Sequence, residues 1–220
     1  MLIDCGDGAQ MILAETEASS VVQLLESWQD VPRPLPAGNK GSTGRQRDPA
    51  RVSVLLIHQT AVLGGFGVTA HQLAAVPEHL PPAEREQVAR QTRYRSTPYH
   101  AVYDPKSRVS IVQWPVWAYM WHGNGGNIDS VGWAYDDKIP GGDLDVDAAR
   151  EALRHVIDAA RRQGAELARV ESHRQHSSAR GGDPGAEIWR GVVLPIAAEC
   201  GLVASTRTTG SGRVNPAAWG

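Results

Sequence analysis

The chain has 220 residues, 41% of them hydrophobic and 21% charged, the balance of a globular domain large enough to bury a real core. A formal net charge of −2 argues against a dedicated nucleic-acid binder, and no apolar run reaches the length of a membrane span. Two cysteines, Cys5 and Cys200, exclude a disulfide framework and a thiolate-rich zinc knuckle.

The first residues carry Asp4 and Asp7 and lack a basic start followed by an apolar stretch, so they do not read as a secretory signal. Residues 1–49 read as an N-terminal extension. Within it, Ser19 to Trp28 predicts a short helix with Val21, Val22, Leu24 and Leu25 on its apolar face. Pro32, Pro34 and Pro36 then lead into a Gly-rich linker from Gly38 to Gly44. The main domain spans residues 50–220. Val52 to Ile57 is an apolar, β-branched run that predicts a buried strand ending at His58. A glycine-rich loop follows at Gly64–Gly67. Pro81-Pro82 then open a helix over 83–92, with Glu84 and Glu86 in its first turn.

Tyr99–Tyr103 and Val109–Gln113 predict two strands joined by a turn at Asp104-Pro105-Lys106-Ser107. Ser130–Tyr135 predicts another short strand. Asp147 is the expected cap of a long amphipathic helix with Ala148, Leu153, Val156, Ile157 and Ala160 inward, ended by Gly164. Leu167–Ser172 predicts a strand that delivers His173. Asp183-Pro184-Gly185 is a turn opening a helix from Ala186 to Cys200, disturbed at Pro195. This order makes an α/β (α+β) domain on one central sheet.

A histidine at the end of a buried strand emerges at the rim of a sheet, and His58 and His173 are both placed so. Two imidazoles and one carboxylate, here Asp183, suffice as the protein ligands of a catalytic zinc and leave one position open. Each residue alone also has an ordinary explanation: a hydrogen-bonded histidine, or an aspartate capping a helix. No short metal motif joins them, so convergence is the open question. Tyr99 offers a phenol that can stabilise an oxyanion. Trp121-His122-Gly123-Asn124-Gly125-Gly126-Asn127 combines an imidazole, carboxamides and an indole face in a glycine-rich loop suited to a sugar or peptide. His71, His79, His155 and His176 lack such context.

These segments, in this order, resemble the zinc N-acetylmuramoyl-L-alanine amidases, a family that includes phage lysozyme-type amidases and peptidoglycan recognition proteins. Leu55-Leu56-Ile57-His58-Gln59-Thr60-Ala61 is similar to its opening strand, and Tyr99-His100 to its Tyr-His strand. Trp121-His122-Gly123, Asn127 and Ser130-Val131-Gly132 resemble its Trp-His-Ala-Gly, Asn, Ser-Ile-Gly stretch. His173-Arg174 and Asp183-Pro184-Gly185 resemble its late His and Asp-Pro-Gly pair. The resemblance implies a mixed central sheet flanked by helices and a Zn2+ held by His58, His173 and Asp183. It also implies cleavage of the amide between N-acetylmuramic acid and L-alanine of the stem peptide. Peptidoglycan or a muropeptide is the implied partner, with Trp121, His122 and Asn127 as substrate contacts and Tyr99 orienting water or the oxyanion. The reading that follows is a phage endolysin or related lytic enzyme, made in the cytoplasm and acting on the cell wall after release.

Two departures stand out. The family's lysine before the last ligand is replaced by Gly181, leaving Arg180 as the nearest cation. The recycling-type glutamate is replaced by Ala134, which points to the phage-type branch that uses the tyrosine. Both departures also suit a non-catalytic peptidoglycan-binding module of the same shape. An unrelated α/β enzyme whose histidines never converge is the third reading.

Overall fold

The structure is a computed structural model that describes residues 2–4, 10–12, 22–26, 28–30, 42–60, 99–105, 108–136 and 144–220. The helix expected over 83–92 and the glycine-rich loop over 64–67 lie outside the described residues. Two strands at the N-terminus, β1 (Leu2–Asp4) and β2 (Gln10–Ile12), pair antiparallel with each other.

The domain is built on a seven-stranded mixed sheet. Its members in chain order are β3 (Gln23–Glu26), β5 (Val54–Gln59), β6 (Ala101–Asp104), β7 (Val109–Val112), β9 (Ser130–Tyr135), β10 (Arg169–Ser172) and β11 (Val203–Ala204). Across the sheet they run β11-β10-β5-β9-β6-β7-β3. The five strands from β11 to β6 are mutually parallel; β7 is antiparallel to β6, and β3 is parallel to β7. β5 lies at the heart of the parallel part, where both faces are covered, which is why its sequence is a continuous apolar run rather than an alternating one.

Alternation along the strands gives the sheet two different faces. Leu55, Ile57, Val131, Trp133, Tyr135, Ala101, Tyr103, Val112 and Val170 share one face and one apolar core. Over them lies helix α1 (Val146–Arg162), whose Ala149, Ala152, Leu153, Val156, Ile157 and Ala160 point down. Each large aliphatic side chain buried there contributes roughly 1.5–3 kcal/mol. The opposite face carries Leu56, His58, His100, Ser130, Gly132, Ala134 and Glu171. The register aligns Leu56 with Gly132 and Glu171, and His58 with Ala134. This polar face is covered by the segment after β7, which contains β8 (Ala118–Met120) and a 3-10 turn over Asn124–Ile128.

Three local expectations are corrected. Residues 23–26 form an edge strand and not part of a helix. Pairing with β7 outweighs the weak helical pattern of a stretch that carries Val21 and Val22. Glu26 anchors this strand to α1, accepting from His155 Nε2 at 3.2 Å and pairing with Arg162, while Trp28 packs on the core. The Gly-rich linker ends in β4 (Ser42–Gln46), paired antiparallel with β8. Residues of the extension therefore pair with strands of the main domain. The cap of α1 is Asp145, whose carboxylate accepts from Ala148 N at 3.1 Å; Asp147 sits in the first turn.

The C-terminal helix is composite: α2 (Ala186–Ile188), a π turn over Trp189–Val193, then α3 (Leu194–Glu199). Pro195 has no N–H to give the carbonyl four residues back. That carbonyl, Gly191 O, accepts instead from Arg150 Nε of α1 at 2.9 Å. Among the described residues no helix is long and apolar enough to cross a membrane.

Candidate metal centre

β5 and β10 are neighbouring parallel strands, so their carboxyl ends open at the same rim and bring His58 beside His173. The two ring centroids are 4.5 Å apart. A capping box turns the chain as it leaves β10: Ser172 N–H donates to Gln175 Oε1 at 2.8 Å, and a 3-10 turn over His173–Gln175 begins at once. Asp183 reaches back across 124 positions of sequence, its Oδ1 accepting from Gln59 N at 2.7 Å. Its Oδ2 lies 2.9 Å from His173 Nδ1. Helix α2 is capped by Gly185 with no side-chain bond, so the aspartate faces the histidines and does not cap its own helix.

The ligand atoms of His58, His173 and Asp183 all lie within 4.8 Å of one another. Tetrahedral zinc bonds to nitrogen and oxygen of about 2.0–2.2 Å set ligand atoms roughly 3.3–3.6 Å apart, so an ion would draw the three groups closer. His58 is fully buried, and its Nδ1 has no hydrogen-bond partner. An orphaned buried nitrogen is costly unless something fills it, and a cation does. Burial first, then His173, His122, His176 and Arg180, hold the His58 pKa well below its ordinary value. The ring is therefore neutral, the form that ligates metal. The donor set fits Zn2+ in kind and number.

The remaining residues singled out in the sequence take different places. The Tyr99 ring centroid is 4.9 Å from that of His58. Arg180 is exposed in the turn between His173 and Asp183, close enough to act on His58 through its charge. Trp121 is 57% exposed beside the site, whereas His122 and Asn127 are only 5% and 1% exposed. Asn127 Oδ1 accepts from His122 N at 3.0 Å and Gly123 N at 2.5 Å, so this carboxamide organises its own loop. His122 Nδ1 faces His58 Nε2 at 3.2 Å. Their geometry does not support the expected substrate contacts for His122 and Asn127, because both are turned inward.

Several residues of the polar face had no role in the sequence reading. Arg47, from the extension, donates to Val116 O, Asn127 O and Ser130 O, each at 2.8 Å, and to Ile128 O at 3.2 Å. Burial pushes its pKa down to about 10. His100 Nδ1 accepts from Gly132 N at 3.1 Å, leaving Nε2–H for Ala118 O at 3.0 Å. Gly132 is the one sequence signal that could have revealed this packing, since an interior strand glycine marks a close approach. A Cβ there would stand 2.5 Å from His122 Nδ1.

Beside the candidate centre lies a second buried cluster. Glu171 Oε1 accepts from Arg207 Nε at 3.0 Å and Arg169 Nε at 3.2 Å, and His176 Nε2 stands 2.8 Å from Oε2. Burial raises this carboxyl's pKa, but the bonds from His176 and Arg207 outweigh it and hold the group at about 2. Asp129 ties Arg169 and Arg207 together from the other side at 2.9 and 3.1 Å.

No protein-family model and no curated protein sequence matches the chain. Solved structures do. Peptidoglycan recognition protein SD of Drosophila aligns with a TM-score of 0.51 and 16% identity, over 86% of this chain and 100% of its own. Drosophila peptidoglycan recognition protein SA gives 0.51 and 17%, over 84% and 95%. The Ph2119 endolysin from Thermus scotoductus MAT2119 bacteriophage Ph2119 aligns at 0.48 and 18%, over 82% and 99%. The mixed sheet flanked by helices is the fold of the peptidoglycan recognition proteins.

Proposed function

We propose that the chain is a zinc-dependent peptidoglycan hydrolase that cleaves the amide between N-acetylmuramic acid and the L-alanine of the stem peptide. The observation that carries this reading is the convergence of His58, His173 and Asp183, with His58 Nδ1 left bare. The fold supports the substrate class, because it is shared with proteins named for peptidoglycan recognition.

A zinc ion held by these three residues supplies Lewis-acid polarisation of the scissile carbonyl and an acidified water, the chemistry an unreactive amide requires. The chain's own groups do the rest. Asp183 brings a negative charge, with Oδ1 fixed by Gln59 N–H and Oδ2 turned to the ligand side. In this reading Tyr99, whose ring centroid is 4.9 Å from that of His58, donates its phenolic hydrogen to the oxygen on which negative charge develops. Arg180 adds a positive field from the exposed turn. Trp121 offers an exposed indole face to a sugar ring or stem-peptide side chain. Ala134 lies level with His58 and brings no carboxylate, so proton handling falls to Tyr99. The intended place of action is the cell wall, reached after release from the cytoplasm.

Purified protein should carry stoichiometric zinc by elemental analysis. Incubated with peptidoglycan, it should release stem peptides and expose new L-alanine amino termini. Zinc-loaded protein that releases none refutes the hydrolase. Tight muropeptide binding without zinc would instead establish the binding module, which the absence of acidic and lysine side chains at Ala134 and Gly181 favours.

A further inference from the structure

We propose that Ser130 and His122 are positioning residues that fix the tautomer of His58, leaving Nδ1 as its bare nitrogen. The argument counts protons along one buried chain. Ser130 Oγ bonds the backbone carbonyl of Gly126, which can only accept. The single hydroxyl proton is thus committed, and Oγ turns a lone pair towards His122 Nε2 at 3.3 Å. His122 Nε2 must then carry hydrogen. A further hydrogen bond to the Ser130 backbone lies on the same ring.

His122 is buried, and its two ring nitrogens face a hydroxyl and a second imidazole, so no carboxylate there balances a second proton. Its Nδ1 therefore presents a lone pair to His58 Nε2 at 3.2 Å. Two lone pairs cannot face each other, so His58 Nε2 bears the hydrogen. A neutral imidazole has only one N–H. His58 Nδ1, buried and without a partner, is consequently the free lone pair. The reverse order would leave Ser130 Oγ and Gly126 O as two facing acceptors, which their close contact forbids. Gly132 keeps the chain in line, because a side chain there would push His122 off His58.

The tautomer assignment stands without any metal; its consequence for metal affinity rests on the zinc reading above. In metal-free protein, long-range 1H–15N correlation of the imidazoles should show His58 as the Nε2–H form. Ser130→Ala should return a mixture of the two tautomers. A chelator competition with Zn2+ should show His122→Leu weakened about 10–100-fold, the usual effect of losing an outer-shell partner. His122→Asn, which keeps an acceptor near the Nδ1 position, should recover most of that loss. An Nδ1–H tautomer of His58 in the wild type would overturn the proposal. So would zinc affinity unchanged in His122→Leu, or a His58 spectrum unaltered in Ser130→Ala. Should His122→Leu fail to fold, Ser130→Ala, which removes one atom, still decides the question. If the wild type bound no zinc at all, the hydrolase would fall and the imidazole spectra would still judge the relay.

Discussion

Two buried clusters of imidazole and carboxylate leave the end of the same strand, and their charges are balanced differently. Glu171 and His173 are two residues apart on and just beyond β10. Around Glu171 the protein supplies its own cations, Arg207 and Arg169, with the His176 imidazole at 2.8 Å, and a second acid, Asp129, beside them. Around His173 it supplies another imidazole and one carboxylate, with a buried nitrogen unpartnered. The contrast teaches that histidine plus acid is not by itself a metal site. What differs is the countercharge: two guanidinium groups already hold Glu171, whereas Asp183 turns Oδ2 to an imidazole.

The sharpest way to break this comparison is to remove a ligand. His58→Ala should abolish hydrolysis and drop zinc retention after dialysis to background. The loss in affinity should exceed the roughly 100-fold that an outer-shell change costs. The neutral replacement Glu171→Gln should do the opposite. It should leave zinc content intact and destabilise the fold by about 3 kcal/mol, the low end for breaking a buried pair, since Arg207 reaches water. Denaturant unfolding of the two variants checks both halves. Zinc loss in Glu171→Gln would mean that the clusters act as one.

Acid sharpens the same contrast. The folded Glu171 pKa lies at about 2, below its ordinary 4.5. Between these values the unfolded chain binds the proton and the folded chain does not, so stability falls as pH falls. The contribution is complete above about pH 4.5 and is lost on approach to pH 2. The stability gap between wild type and Glu171→Gln, measured by denaturant midpoint, should therefore narrow over that window. A gap that stays constant would show that the carboxylate's charge is not what the cluster uses.

The same two clusters mark what could be read from sequence. β5, β9, β10 and α1 were legible because each has one dominant pattern: a β-branched apolar run, or a 3.6-residue stripe with caps. His58 and His173 were legible as strand-end residues, and Asp183 as a turn residue, but only pairing of β5 with β10 brings them together. β3 was misread because an edge strand of four residues, Gln23-Leu24-Leu25-Glu26, carries no alternation strong enough to oppose a helix. Arg47 and Glu171 gave no signal, because a charged side chain's partners are set by distant backbone and not by its neighbours in sequence. His122 was expected to face outward, and its burial, which depends on Gly132 lacking a side chain, could not be read from its own loop.

Arg47 tests how far the cluster of His58, His173 and Asp183 depends on its surroundings. Its guanidinium serves four carbonyls of the segment that holds His122 and Ser130. Lysine keeps the charge but has no planar fork to span them. Arg47→Lys should cost about 1.5–3 kcal/mol, the range for hydrogen bonds to a charged group. It should also loosen the 116–130 segment, read as faster amide hydrogen exchange there, while α1 stays protected. Uniform change across the molecule would show that Arg47 supports the fold at large and not the face that carries the site.

The smallest effect belongs to the residue farthest from either cluster in kind. Trp121 is an exposed indole with the Tyr119 ring 6.1 Å away, and it is not part of the buried core. Trp121→Ala should leave stability and zinc content unchanged. If the indole face receives a sugar or peptide group, the variant loses one aromatic contact, about 0.5–1.5 kcal/mol, or roughly a 2–12-fold weaker muropeptide affinity. Steady-state kinetics should then show a raised KM with kcat held. That signature separates binding from the bond-breaking step, which the buried centre alone should govern. A fall in kcat with KM constant would instead place Trp121 in contact with the reacting amide, and the division between an inner catalytic cluster and an outer binding rim would no longer hold.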